Sequence, residues 1–282
     1  VFARTRAAIL AGDIPSTEWC SWATDECPRQ DATFDDVVDL IYESNPSMGI
    51  ILSLDFTRTE FAGGSITGFA HERLDWFSPA AMLTRAIPRE SWGAALIDAI
   101  GDRYRGKKAF GVKFSRDGST YALSGCKLGQ RALKGKAAVE LIRVGTTAGG
   151  ARELAEWLYD RRATASVVVI DGMSGADALI DRLAEMKPPR GYVVRPQTRD
   201  VVAAAVGFVD ALNDGTLAHT YDPTLEESAR KCVRRKIGSR GGWGFGSPED
   251  ATVPPEPLES CSLALWGART TKRNPRRKQR TL

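Results

Sequence analysis

The sequence is poor in the side chains that build most metal and nucleophile sites. It has two histidines, His71 and His219, and five cysteines scattered without a CxxC pair. The chain therefore offers few residues for a zinc site, a disulfide framework or a Ser-His-Asp triad. Scattered thiols are typical of a reducing, cytosolic setting. A metal bound by this chain would depend on carboxylates, which hard divalent cations prefer.

Three further absences limit the functions open to the chain. No apolar run approaches the length of a membrane span. No GxxxxGK[ST] phosphate loop occurs, so an ATPase engine is not encoded here. The first residues, Val1-Phe2-Ala3-Arg4, include neither a signal-peptide core nor an initiator Met, which is typical of a cut or processed fragment. With 43% hydrophobic and 26% charged residues, the composition fits a globular protein of one or two domains.

A buried strand that ends on an acid is the strongest local signal. The run Val167–Ile170 is apolar and β-branched, and Asp171, Gly172 and Gly175 follow it. This pattern predicts the central strand of an α/β sheet, buried on both faces. Ligands bind at the C-terminal ends of such strands, but an aspartate there can equally cap the next turn or helix. The strand alone leaves both interpretations open.

The surrounding pattern predicts a mixed sheet. Residues 1–106 are predicted to be helical, with a short helix over 94–100, and the strands begin after Lys107. Asp117-Gly118 is a hairpin signal between the first two strands, and 216–219 is a candidate edge strand. Helices are expected between the later strands, from Asp222-Pro223 through Val233, and at the end of the chain. His219 is expected to be a surface or edge residue. The five predicted strands are 109–115, 120–128, 136–144, 166–171 and 192–194, and the strand 166–171 is expected beside 109–115.

Positive charge is concentrated although the net charge is only +4. The stretch 272–280 holds six basic residues and no acid, and a second cluster spans 230–240. Such clusters suit a polyanion, most simply nucleic-acid phosphates, whereas a solubilising tail and a solvated helix face are the alternatives. The residues predicted to contact DNA are Arg195, Arg199, Arg234, Arg235, Lys236, Arg240, Lys272 and Arg273.

The ordered set of motifs resembles the large subunit of tailed-phage terminases, specifically its C-terminal nuclease domain, within the ribonuclease-H-like superfamily. Earlier residues are similar to the segment that joins the packaging ATPase to that nuclease, namely Trp22, 45–50 and 69–74. The stretches similar to the nuclease are Phe110–Ser119, Val168–Gly172, Phe208–Leu212, Gly215–His219, Asp222-Pro223, Gly242–Phe245 and Pro257–Trp266.

The resemblance implies a fold, a domain division and a function. The fold would be α/β, a ribonuclease-H-like mixed five-stranded sheet flanked by helices, with an N-terminal helical segment. Residues 1–106 would be a linker from the end of the ATPase region, 107–269 the nuclease, and 270–282 a disordered basic tail. The function would be a metal-dependent endonuclease that cuts concatemeric duplex DNA by two-metal hydrolysis with Mg²⁺ or Mn²⁺. Its partners would be the terminase small subunit and the portal, in the host cytoplasm rather than secreted.

The same resemblance implies which acids do the chemistry. Asp171 would be a metal ligand. Asp117 would replace the first-strand acid, whose place Lys113 occupies. Glu256 would be the third catalytic acid, with Asp250 and Glu259 as rivals and Asp250 as a further metal ligand. Two alternatives stay open: a catalytically degraded DNA-binding or motor-docking module, which Lys113 suggests, and a related enzyme acting on Holliday junctions or transposon ends.

Overall fold

The structure is a computed structural model, and it describes residues 9, 11, 22–24, 26–76, 85–238, 241–248 and 253–275. The chain divides into two compact units, Val1–Leu83 and Thr84–Leu282. The helices of the described residues are α1 (Phe34–Ser44), α2 (Leu54–Gly63), α3 (Ile66–Arg73), α4 (Arg89–Ala94), α5 (Arg152–Asp160), α6 (Ala176–Glu185), α7 (Thr198–Asn213), α8 (Pro223–Lys231) and α9 (Glu256–Thr270), with a 3-10 turn at Arg131–Leu133. The strands are β1 (Leu96–Ile97), β2 (Lys108–Phe114), β3 (Thr120–Leu128), β4 (Ala137–Thr146), β5 (Val167–Asp171), β6 (Val193–Val194), β7 (Leu217–Thr220), β8 (Val233–Ile237) and β9 (Gly242–Gly246).

No helix among these residues is both long and apolar enough to span a bilayer.

The first unit is a small helical cluster with capped helices. Thr33 and Asp36 form a capping box at the start of α1, and Ser53 and Ser65 cap α2 and α3 by accepting backbone N–H donors. α1 ends at Ser44, as the Asn45-Pro46 pair predicts. The core under these helices consists of Phe34, Val37, Ile41, Met48, Phe69, Ala70 and Leu74.

The second unit is built on a seven-stranded mixed sheet in the order β1-β7-β4-β3-β2-β5-β6. β2, β3 and β4 are antiparallel neighbours, and β5 lies parallel beside β2. This confirms the predicted mixed sheet and the predicted contact between the strands 109–115 and 166–171. Seven strands form rather than five because the candidate edge strand β7 pairs with β4, and β1 pairs with β7. The helix predicted over 94–100 is wrong: α4 ends at Ala94, and Leu96–Ile97 takes up the free hydrogen-bonding edge of β7.

The central strand β5 is buried on both faces, as its sequence predicts. Val167 and Val169 lie in the core that contains α7, α8 and α9, whereas Val168 and Ile170 lie in the core that contains α5 and α6. Side chains alternate across a strand, so an unbroken apolar run supplies both cores at once. Only Asp171, at the end of the strand, emerges partly exposed.

Helix α9 is buried on nearly every side, and glycine lets it approach the sheet. A Cβ placed on Gly111 of β2 would collide with the Ser260 carbonyl oxygen, and one on Gly267 would lie 2.6 Å from Val169 Cγ2. Small residues at both contacts therefore hold α9 against β2 and β5. Ser260 Oγ and Ser124 Oγ of β3 share a buried hydrogen bond of 2.6 Å, which fixes the helix along its axis.

The 230–240 cluster is divided between a helix and a hairpin: among its described residues, Arg230 and Lys231 end α8, whereas Arg234, Arg235 and Lys236 lie on β8. α8 ends at Lys231, so the helix predicted to continue through Val233 is wrong, and β8 pairs antiparallel with β9. Arg235 pairs in register with Gly244. A Cβ on Gly246 would lie 2.6 Å from Arg235 Cβ, so the missing side chain gives the arginine room.

Candidate active site

The site lies at the sheet edge where two parallel strands end side by side. Lys113 of β2 and Asp171 of β5 are paired in register, with Lys113 Nζ 2.5 Å from Asp171 Oδ2. Gly172 turns the chain away from the edge with φ +149°, and a Cβ there would meet Phe114 Cβ. Asp171 therefore lies beside β2, where the sequence prediction placed it.

A second carboxylate reaches the same ammonium group from α9. Glu259 Oε2 lies 3.3 Å from Lys113 Nζ, and Glu259 Oε1 lies 3.4 Å from Arg235 Nη2. The side chains of Lys113, Asp171 and Glu259 are 14%, 21% and 6% exposed, and that of Arg235 is 52% exposed. Two acids and two bases thus form one charge-balanced group, three of them largely withdrawn from water.

The electrostatics of this group favour a permanently charged lysine. Burial opposes the ammonium form, but the nearby carboxylates of Glu259 and Asp171 outweigh it and raise the pKa of Lys113. Burial raises the pKa of the Glu259 carboxyl, while Lys113 and Arg235 act in the opposite direction and favour the carboxylate. Lys113 is therefore the fixed positive charge of the site.

Lys113, Arg235 and Glu259 line a cleft of about 550 Å³, and Asp171 adjoins it between Lys113 and Gly172. Glu256, the first residue of α9, lines it one helical turn from Glu259 and is partly exposed. Arg116 and Met173 also line the cleft. Asp250, predicted as a further ligand, lies outside the described residues. Of the predicted acids, Asp171 and Glu256 therefore line or adjoin one cleft.

Asp117 has local partners in its own turn. Its Oδ1 accepts hydrogen bonds from Ser115 Oγ at 2.7 Å, Ser119 N at 3.0 Å and Ser119 Oγ at 2.8 Å. These bonds, led by the Ser119 amide, lower the pKa of the exposed Asp117 carboxyl to about 2. Asp117 is not one of the residues that line the cleft. Its geometry is that of a turn-stabilising aspartate, and its metal-binding role stays a prediction.

The donor set does not fit a preformed two-metal centre. Among the residues that the structure describes, no three His, Cys, Asp or Glu side chains are grouped to hold a metal ion. The Lys113 ammonium lies within contact distance of both Asp171 and Glu259, the position that a shared cation would need. Two such cations lie roughly 3.5–4 Å apart and need several carboxylates between them. A cation shared by Asp171 and Glu259 at this position would require Lys113 to move away.

The predicted DNA-contacting residues of the hairpin point in two directions. Arg234 and Lys236 are exposed, and the Arg234 guanidinium lies 4.5 Å from the Trp243 ring centroid. Arg235, between them, turns toward Glu259, as the alternation of a strand requires. Arg240 lies outside the described residues.

Some of the remaining residues predicted to contact DNA are paired within the protein, and others are exposed. Arg195 is paired with Asp177, and Arg199 is 82% exposed near the start of α7. Lys272 is exposed, whereas the Arg273 guanidinium donates to the carbonyl oxygens of Arg162, Ala165 and Ser166. Arg273 thus fastens the segment after α9 to the start of β5. A DNA contact at any of these four stays a prediction.

His219 has a structural position that the sequence did not reveal. It is 2% exposed and stacks on Trp92 with ring centroids 3.6 Å apart, and its Nε2 lies 3.0 Å from the Trp92 carbonyl oxygen. The expectation of a surface or edge histidine is therefore wrong, because β7 is covered by α4.

No family model matches the chain, and no curated protein does. Several solved structures are similar to part of the chain. The large terminase nuclease of the thermophilic phage G20c aligns at 13% identity and a TM-score of 0.48, over 64% of this chain and 97% of that one. The same nuclease with bound magnesium aligns at 12% identity and 0.44, over 62% and 93%. The HK97 bacteriophage large terminase aligns at 14% identity and 0.44, over 86% of this chain and 56% of that one.

Glu259 and Lys113 are the two site residues that the sequence undervalued. The sequence alone makes Glu259 a rival third acid and places Lys113 where the first-strand acid is expected. Each is a single charged residue within an otherwise apolar or small-residue stretch, Phe110–Phe114 and Pro257–Ala268. Charged side chains that are fully surrounded by apolar ones are nearly always paired. That pattern predicts a buried ion pair between the two segments once they are known to pack together.

Proposed function

We propose that this chain is the nuclease module of a DNA-packaging terminase large subunit, and that it cuts concatemeric duplex DNA with Mg²⁺ or Mn²⁺. The observation that supports the proposal most is the convergence of Asp171, from the end of β5, and Glu259, from α9, at the C-terminal edge of a sheet with β5 beside β2. The ends of parallel strands at such an edge are where an open α/β sheet binds its ligand. The sheet combines antiparallel β2, β3 and β4 with parallel β5 and β6, as expected for the ribonuclease-H-like mixed sheet that the sequence resemblance implies.

The roles that we propose concern the side chains of this chain, because the described residues do not preform a two-metal centre. Asp171 and Glu256 would orient an attacking water at the cleft and accept its proton. Lys113 and Arg235 would offset the negative charge that develops on a phosphodiester during attack. Arg116, exposed on the cleft wall, would hold an adjacent phosphate.

The proposed setting follows the resemblance to terminases. Duplex DNA would lie over the outward face of the β8–β9 hairpin, with Arg234 and Lys236 contacting phosphates. Residues 1–106 would connect this module to a packaging ATPase, and the basic tail from residue 270 would add nonspecific attraction. The small subunit and the portal are the proposed protein partners, in the host cytoplasm.

A nicking assay tests the catalytic proposal. We expect the parent protein to nick supercoiled plasmid in Mn²⁺ or Mg²⁺ but not in EDTA, and D171N to be slower by about 100-fold or more, because an amide offers a neutral oxygen in place of the charged one. Asp181 is exposed on α6, so D181N is the matched control and should nick like the parent. Equal rates for D171N and the parent would reduce Asp171 to a turn residue.

A non-catalytic DNA-binding or motor-docking module is the second candidate function. Lys113 supports it, because the ammonium contacts both Asp171 and Glu259. A parent protein that binds duplex DNA but does not nick it with any of these cations would favour this candidate.

A further inference from the structure

Lys113 occupies a position that an ion would otherwise fill. Its Nζ lies 2.5 Å from Asp171 Oδ2 and 3.3 Å from Glu259 Oε2, and all three side chains are largely buried. Two carboxylates that approach one point from different elements repel each other unless a cation lies between them. Here the chain itself supplies that cation.

The position of the ammonium follows from the pairing of the two strands and from the packing of α9. Lys113 pairs in register with Asp171 across β2 and β5, so their Cα atoms are neighbours whatever the side chains do. Glu259 is set by the close approach of α9 to Gly111, two residues before Lys113. An incoming cation would have to displace an ammonium that is already in contact with both acids.

We infer that Lys113 is a resident cation that competes with divalent metal ions for Asp171 and Glu259. The parent protein, in the absence of DNA, then binds Mn²⁺ weakly at this cleft. Removing the ammonium frees two buried carboxylates and turns the same cleft into a metal site. This inference does not depend on the proposed nuclease activity, because metal binding is measured without DNA and without turnover.

Paramagnetic broadening in the parent protein is the first test. We expect equimolar Mn²⁺ to leave the backbone amide signals of Gly172 and Ser260, which adjoin the two acids, no more broadened than those of exposed turns. Selective loss of these two signals at micromolar Mn²⁺ would overturn the inference, because it would show a cation between Asp171 and Glu259 while Lys113 is present.

Substitutions of Lys113 are the second test, read by calorimetric titration with Mn²⁺. K113M removes the ammonium and should raise the affinity for Mn²⁺ at least tenfold. K113D, which adds a carboxylate, should raise it further and raise Tm by about 5 °C at an Mn²⁺ concentration 100-fold above Kd. K113R keeps a positive charge and is the matched control, with parent-like weak binding.

The location of the gained site is tested by a second substitution. D171N or E259Q combined with K113M should abolish the gain, whereas D181N combined with K113M should not. A folded K113M protein that binds Mn²⁺ no more tightly than the parent would contradict the inference. If the variants at Lys113 fail to fold, the broadening experiment on the parent decides alone. Nicking by the parent has no bearing on either result, so this inference and the proposed function can fail separately.

Discussion

At the scale of single residues, two aspartates that the sequence treats alike have different environments. Asp171 and Asp117 each precede a glycine, Asp171 as the last residue of β5 and Asp117 in the turn between β2 and β3. Asp171 faces a buried ammonium group, whereas Asp117 is exposed and accepts three bonds from Ser115 and Ser119. The first is therefore tied to the cleft and the second to its own hairpin turn.

The titration of Asp117 tests this difference. Carbon-detected NMR of the parent should give a pKa of about 2 for Asp117, below its ordinary 3.8, because the Ser119 amide and two hydroxyls stabilise the carboxylate. Since the pKa is lowered in the folded state, the stability contributed by the turn is present above pH 3.8 and is lost as the pH falls toward 2.

S119A removes the hydroxyl donor and should move the Asp117 pKa back toward 3.8, and S91A, which removes a hydroxyl that donates to Asn213 instead, is the control. An unchanged pKa in S119A would show that the hydroxyl bond does not contribute to the shift.

What the sequence could predict at this scale follows from how local each signal is. The central strand, Asp171 at its end and the neighbouring strand 109–115 were predictable, because apolar runs and the order of elements decide them. The link from Lys113 to Glu259 was not, because the two lie far apart in sequence and meet only through the packing of α9 on β2. The hairpin at 233–246 was missed because its basic residues also suit a helix, and only pairing with β9 decides between the two.

At the scale of elements, the contact between α9 and the sheet sets the cleft. Gly111 lies at the closest approach of the two elements, because a Cβ placed on it would collide with the Ser260 carbonyl oxygen. Glu259 is the residue of α9 directly before Ser260. The helix and the strand therefore share one constraint: the backbone distance that stabilises the core also places the second carboxylate.

G111A should lower the free energy of unfolding by about 1–3 kcal/mol or more, because the added methyl group forces α9 off the sheet. Gly207, inside α7, has no atom within 4 Å of a Cβ placed on it. G207A is the matched control and should stabilise by about 0.5–1 kcal/mol, since alanine is the better helix former. Urea unfolding followed by circular dichroism measures the free energy of unfolding of both variants. A G111A protein as stable as the parent would show that α9 and β2 can accommodate the added methyl group.

At the scale of the whole molecule, the charge distribution matters more than its sum of +4. The outward face of the hairpin and the basic tail carry the excess of positive charge, whereas Lys113 and Arg235 are paired with the carboxylates of Asp171 and Glu259 at the cleft. Nonspecific attraction to DNA should therefore come from Arg234, Lys236 and the tail rather than from all basic residues alike.

Salt dependence of DNA binding tests this division. Duplex affinity should fall steeply with salt and show no sequence preference, with a slope that drops by about 0.9 for each phosphate contact removed. Replacing Arg276, Arg277, Lys278 and Arg280 by Gln should lower the slope while leaving the fold intact. R182Q, on an exposed arginine of α6 paired with Glu185, is the control. An affinity that does not change with salt would contradict the electrostatic account.

The anchorage of Arg273 has a practical consequence for labelling. The arginine grips carbonyl oxygens at the start of β5, and Asp171 ends the same strand. Five residues of strand separate the two ends by roughly 17 Å at about 3.3 Å per residue. A fluorophore attached beyond Pro275 would thus be anchored near the start of β5, about one strand length from Asp171. A tag that displaced Arg273 would instead loosen the beginning of the strand that carries Asp171.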